Sequence, residues 1–330
     1  MNLRIINLVV AAVVAQALAP EAAAQAASTG SGQAWPARPV RIVMPFAPGG
    51  GADLMGRLFA TRFTETLGQT FVAENRAGAG GLIGAEIVAK SPPDGYHVLV
   101  TTASLSVNVN LHRKLAFDPL RDLAPVSLLT SVPLVLVVHP SVPARSVRDL
   151  VALAKRRPGG MNAGTNGAGT TSHLAVEMLK QAAGIDVVHI HYRGGGLAII
   201  AMLAGEIDFR FTSVLSGMPH IRAGRTRPLA VTTANRSSVL PDLPTLAASY
   251  PGVECDQWFA MFVPAGTPRG IVEKLQVEAV RALALPEVRD HLIRDGAEPV
   301  GSTPEALAIF FRSEVAKYAR VIAAAKVQAD

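Results

Sequence analysis

Cysteine is nearly missing: Cys255 is the only one in 330 residues, which excludes an internal disulfide framework and any multi-cysteine zinc site. Charged residues make up only 17% and aromatic residues 5% of the chain, against about 25% charged in an ordinary soluble domain. That composition offers neither a charge-solvated disordered polymer nor an aromatic surface for base stacking. The 29 glycines and 23 prolines follow no period, which excludes collagen-like and low-complexity architectures. What is present is a 49% hydrophobic chain, long enough for two cores and therefore two domains.

The formal charge of +6 is spread out. Residues 134–257 hold 12 Lys/Arg against 8 Asp/Glu, and the densest run is Lys155-Arg156-Arg157. It reads as a solvated basic face, and no nucleic-acid partner is expected. The N-terminus reads as an address: Arg4 in a short polar start, an apolar run from Leu8 to Ala19, then small residues with A-x-A choices at Ala22–Ala24 and Ala24–Ala26. The run is too short for a membrane span of about 20 residues. A signal peptide over residues 1–26, cleaved near 24–27, and an exported soluble chain are expected.

Downstream, strand, loop and helix signals alternate. Val40–Met44 predicts a strand, and Leu54, Met55, Leu58, Phe59 and Phe63 carry a helical stripe ending near Gly68. Strands are predicted over 69–74, 96–101 and 134–138, with a helix over 82–90. The grammar then restarts with helices over 147–156, 171–183 and 197–204, strands over 161–163, 187–191, 207–212 and 229–232, and a helical tail from 268 to 325. Alternating β and α elements imply mostly parallel sheets in two α/β lobes, with ligand sites beyond the carboxyl ends of the strands.

Most enzyme motifs fail. Gly51 to Gly56 is followed by Arg57-Leu58, so a Walker A lysine and hydroxyl are absent, and neither Gly78-Ala-Gly80 nor Gly167-Ala-Gly169 completes GxGxxG. No nucleotide or other cofactor is expected. Four junctions remain: Phe46–Asp53, Thr101–Ser104, Gly167–His173 and Tyr192–Gly196. They present glycines, hydroxyls and bare amides suited to an anion at helix N-termini, or to ordinary capping. Asp53 reads as a first-turn dipole partner. His189 and His191 share a strand face, but with no third ligand evident no metal site is expected. Ser172 and His173 point about 100° apart on a helix and make no nucleophile–base pair. Arg193 can pair with an anionic ligand or with a local acid. A secreted hydrolase using Ser104 or Ser172 is the rival class.

The string Trp35-Pro-Ala-Arg-Pro-Val-Arg-Ile-Val-Met-Pro-Phe-Ala-Pro-Gly-Gly-Gly-Ala-Asp53 resembles the start of the tripartite tricarboxylate transporter substrate-binding proteins, the Bug family. Agreement continues through Glu74-Asn-Arg-Ala-Gly-Ala-Gly-Gly81, Pro93-Asp-Gly-Tyr96, Ser172-His-Leu-Ala175, Tyr192-Arg-Gly194, Gly205-Glu-Ile-Asp208 and Pro264-Ala-Gly-Thr-Pro268. The resemblance implies an α/β, two-lobed (type II-like) periplasmic binding protein, with lobe I at 35–133 plus 258–330 and lobe II at 134–257. It implies a monomer, not an enzyme, that closes on a small mono- or dicarboxylate, aromatic ones included. The captured ligand passes to membrane transporter subunits or to a sensor protein.

Carried over by resemblance, the ligand loops are Phe46-Ala47-Pro48-Gly49-Gly50-Gly51-Ala52-Asp53 and Gly169-Thr170-Thr171-Ser172-His173. Thr102, Ser104 and Asn108 line one wall, and Tyr192, Arg193, Thr212 and Ser213 the other. Hinges are expected near Thr130–Pro133 and Glu254–Trp258. Thr212 stands where the family often has aspartate, and Leu246 follows Thr245 where an acid is common. The Thr212 departure weakens the case for an amino-acid ligand, whose ammonium would need an acid, and a non-amino carboxylate or dicarboxylate is expected.

Overall fold

The computed structural model describes residues 35–112 and 114–325; the signal-peptide reading lies outside them. Val40–Met44 forms β1, and the glycine-rich stretch after it turns the chain into helix α1 (Gly51–Leu67), which ends at left-handed Gly68. The unit repeats with β2 (Phe71–Asn75), α2 (Leu82–Ala89), β3 (His97–Thr102), α3 (Ser104–Leu111) and a short α4 (Pro119–Asp122).

The next strand, β4 (Leu123–Val138), is much longer than the apolar 134–138 run predicted. Then follow α5 (Val147–Arg156), β5 (Asn162–Thr165), α6 (Thr171–Ala183), β6 (Val188–His191), α7 (Gly195–Leu203), β7 (Phe209–Ser213), α8 (Val214–Arg222) and β8 (Arg227–Val231). The chain closes with β9 (Asp256–Pro264), α9 (Arg269–Ala284), α10 (Pro286–Arg294), β10 (Glu298–Pro299) and α11 (Pro304–Ala325). No described helix is long and apolar enough to cross a membrane.

The strands follow the order β2-β1-β3-β9-β4-β7-β5-β6, with β8 and β10 also pairing β4. β4 serves two sheets: Leu123–Pro133 pairs β9, and Leu134–Val138 pairs β7 and β8. The parallel expectation holds for β1 with β2 and β3, and for β5 with β6 and β7. The returning strands correct it elsewhere: β9 runs antiparallel to β3, and β4 antiparallel to β7, β8, β9 and β10. A chain that leaves one sheet for the other and comes back must traverse the junction in opposite directions, so the traversing strands pair head to tail.

Each sheet has its own core. Val43, Leu99, Trp258, Phe262 and Phe311 pack in one, and Leu136, Phe209, Phe211, Cys255 and Tyr318 in the other. α11 enters both, through Phe311 and Tyr318. Burying Trp258, only 2% exposed, is worth on the order of 4–6 kcal/mol before entropy is counted. Its Nε1 donates to buried Glu314 at 3.0 Å, so the indole's polar atom is satisfied as well.

Candidate functional site

Loops from the two sheets meet face to face. Ala47 N–H donates to the Arg193 carbonyl at 2.9 Å, and Thr171 N–H donates to Ser104 Oγ at 3.3 Å. A side chain on Gly196 would overlap the Pro48 carbonyl oxygen, and one on Gly50 would touch the Gly195 and Gly196 nitrogens at 3.4 Å. At Gly196 glycine is therefore required for backbone to approach backbone across the cleft, while Gly50 sits at van der Waals distance. Between these loops lies a cavity of about 30 Å³, lined by Phe46, Gly50, Gly51, Ala52, Thr102, Ser104, Asn166, Gly195, Ser213, Ser216, Gln257 and Phe259. In this closed geometry it has room for about one water.

Helix N-termini converge on that cavity. α1, α3 and α7 begin at Gly51, Ser104 and Gly195, all on its wall, and none has a side-chain cap. Their positive dipole ends and leading N–H groups, apart from Ser104 N–H, which donates to Thr102 Oγ1 at 3.2 Å, suit the cavity to an anion. α6 and α8 are capped differently: Thr170 accepts from His173 N–H, and Ser213 from Ser216 N–H.

Behind the wall lies a residue that sequence reading did not single out. Arg210, on β7, is fully buried. Its Nη2 donates to Asn166 Oδ1 at 2.8 Å and its Nη1 to the Gly195 carbonyl at 3.1 Å. No carboxylate among the described residues pairs with it, and its Nε has no hydrogen-bond partner. Burial pushes its pKa down to about 10, so it remains a cation at neutral pH. The guanidinium's bonds to Asn166 Oδ1 and the Gly195 carbonyl polarise the N–H groups of the Asn166 amide and of the Gly195–Gly196 peptide, and both residues line the cavity.

The predicted residues divide in two. Phe46, Gly50, Gly51, Ala52, Thr102, Ser104 and Ser213 line the cavity. The others hold its frame. Asp53 accepts from Gly49 N–H, Arg57 Nε and Asn75 Nδ2. Burial alone would raise its pKa, but these donors outweigh it and hold the carboxyl below its ordinary value. Ser172 Oγ accepts from Asn166 N–H, His173 Nδ1 from Gly169 N–H, and Asn108 Nδ2 donates to the Gly80 carbonyl. Thr171 Oγ1 reaches Gln257 Oε1 at 3.4 Å, and Thr212 lies beside Ser216. The Tyr192 phenol is half-buried, its pKa raised mainly by desolvation. Arg193 is exposed and meets the opposite loop through its carbonyl; Ala47, Pro48 and Gly49 form that opposite loop.

Asn166, Arg210, Ser216, Gln257 and Phe259 were not anticipated as site residues, whereas Gly195 falls in the expected Tyr192–Gly196 junction. The one available signal was an arginine between Phe209 and Phe211 on a strand with apolar neighbours on both sides. A larger hollow, about 570 Å³, lies by Ser131, Asp256, Arg236, Arg289 and Glu298. Its lining carries both signs of charge and shares no residue with the glycine loops.

A family model described as "Tripartite tricarboxylate transporter family receptor" matches residues 55–327. Protein BugT of Bordetella pertussis is 36% identical over 88% of this chain and 90% of its own. Among solved structures, Rpa4515 of R. palustris with adipate is 36% identical with a TM-score of 0.86, covering 89% of this chain and 99% of that one. MatC from Rhodopseudomonas palustris with bound malate is 31% identical with a TM-score of 0.83, covering 87% and 100%.

Proposed function

The chain belongs to the tripartite tricarboxylate transporter receptor family, and on that premise we propose that it captures a small, non-amino carboxylate in the cavity between its glycine loops. The observation that carries this reading is Arg210: a buried cation with no acidic partner among the described residues, hydrogen-bonded to two residues that line a cavity at which three helices without side-chain caps begin. Burying an unpaired charge is costly, and a ligand carboxylate at the far end of Asn166 offsets that cost through the amide dipole. Adipate and malate in the two related structures, both dicarboxylates, support the class.

Capture proceeds by lobe closure. A cavity of about 30 Å³ admits a dicarboxylate only if the two loops part, so ligand enters an open form and the loops close on it. The lobes are 35–133 with 258–330, and 134–257. They pivot where β4 and β9 cross, at Thr130–Pro133 and Glu254–Trp258. Closure replaces water with preorganised N–H and O–H donors. The closed monomer, exported to the periplasm, then presents its surface to membrane transporter subunits.

The cycle is binding and release without covalent chemistry. Ser104 and Ser172, the nucleophiles of the rival hydrolase reading, each accept a backbone N–H, from Thr171 and Asn166. A thermal-shift screen of ligand-free protein against mono- and dicarboxylates, adipate and malate included, tests the proposal. At least one must raise the melting temperature, because a ligand bound only by the native state stabilises it. A broad panel without a hit rejects it.

A further inference from the structure

Three imidazoles gather outside the carboxylate cavity. His189 and His191 stand two apart on β6, so both rings leave the same face of the strand; they stack at 5.7 Å with 23° between their planes. His173, in the first turn of α6, meets both edge-on at 4.9 and 5.0 Å. One nitrogen from each ring lies within 4.8 Å of the others. The sequence offered only the strand pair; the fold supplies the third ligand by packing α6 against β6.

We propose that His173, His189 and His191 form a binding site for a divalent transition metal of the zinc class. The donor set is three neutral nitrogens with no thiolate, which suits Zn²⁺, Co²⁺, Ni²⁺ or Cu²⁺ and not the oxygen-seeking Mg²⁺ and Ca²⁺. Glu177, one turn after His173, takes the His189 Nε2 proton in a hydrogen bond, and Lys180 Nζ holds that carboxylate at 2.9 Å. His189 Nδ1, buried and without a hydrogen-bond partner, then carries the lone pair. A carboxylate behind a histidine in this way fixes the tautomer of metal-bound imidazoles. Thr165 Oγ1 orients the third ring, 2.6 Å from His191 Nδ1.

Zinc–nitrogen bonds of about 2.0–2.1 Å place tetrahedral ligand atoms about 3.3 Å apart, so the rings draw together by roughly 1.5 Å on binding. Exposed His191 gives the ion its entry and most of this movement. His173 Nδ1 accepts from Gly169 N–H at a long 3.2 Å; ligation through Nε2 moves the ring proton to Nδ1 and gives up that bond. Three ligands leave a fourth position for water.

The test uses the full chain without an affinity tag, stripped with chelator and titrated with Co²⁺ followed spectroscopically, then with Zn²⁺ in competition. One Co²⁺ per chain, with visible absorption of a low-symmetry nitrogen site and displacement by Zn²⁺, is expected. His189→Gln and His191→Gln should each weaken binding at least tenfold, while His291→Gln, far out on α10, leaves it unchanged. Absence of stoichiometric uptake, or wild-type affinity in both His189→Gln and His191→Gln, overturns the proposal. The readout is independent of carboxylate binding, so the two readings fail separately.

Discussion

Arg210 donates to Asn166 Oδ1 at 2.8 Å, a cation held against the oxygen of an amide where an acid would be expected. The pairing leaves the guanidinium without an acid among the described residues and polarises an amide that lines the cavity. Asn166→Asp supplies the missing acid. It should leave the melting temperature unchanged or raised, since the charge is now paired, and weaken carboxylate binding about 100-fold, roughly 2.8 kcal/mol, since the donor has become an anion. Calorimetric titration beside a melting curve checks both halves, and retained affinity removes Asn166 from the site.

Gly196→Ala bears on closure. Gly196 lies in helix α7 without a positive φ, so alanine suits its backbone locally, yet the added carbon would overlap the Pro48 carbonyl oxygen. The unliganded fold should persist while the loops stay apart. The Ala47–Arg193 hydrogen bond should be lost and carboxylate affinity should fall at least about tenfold. Small-angle scattering is expected to show no ligand-induced contraction; normal contraction contradicts the closure geometry.

Asp53 supports the first loop through charge. Desolvation opposes its ionisation, but Arg57, Gly49 N–H and Asn75 outweigh it and hold its pKa below the ordinary 3.8. A carboxyl with a depressed folded-state pKa adds stability that is complete above the unfolded value and is lost as pH falls through the folded one. Asp53→Asn should therefore be less stable than wild type at pH 7, and the difference should shrink below about pH 4. Denaturant melts at pH 7, 5 and 3 measure it; a gap that stays constant with pH refutes the charge-based role.

Glu314 satisfies the Trp258 indole at 3.0 Å inside the core that α11 covers. Glu314→Ala leaves a buried donor unpaired and removes packing, for a loss of about 2–3 kcal/mol. A lower denaturant midpoint, followed by tryptophan fluorescence, is the expected outcome. A change within 0.5 kcal/mol, the range of ordinary surface substitutions, refutes it.

Local signals fixed what they physically determine. Helices 147–156 and 171–183 were legible to the residue because Ser146 and Thr170 cap their starts and left-handed Gly184 ends the second. β9 was not foreseen: Trp258 to Val263 is buried on both faces, so it lacks the alternation that marks a half-buried strand. The same burial hid Arg210, whose place between Phe209 and Phe211 reads as a solvent-facing position until both faces of β7 are seen to be covered. The glycine loops were visible because close backbone approach needs glycine. Asn166 and Gln257 were not, because a loop amide shows nothing of its orientation until its partner is placed.

The central claim, that Arg210 confers carboxylate affinity on the cavity, is tested most directly by titrating wild type and Arg210→Met with the dicarboxylate that gives the largest thermal shift. Methionine is apolar and fits a buried strand position, and exchanging a buried charge for an apolar side chain is commonly tolerated. A folded Arg210→Met protein whose Kd is raised at least about tenfold, a loss of roughly 1.4 kcal/mol, is the predicted result. A folded Arg210→Met protein with wild-type affinity contradicts the account.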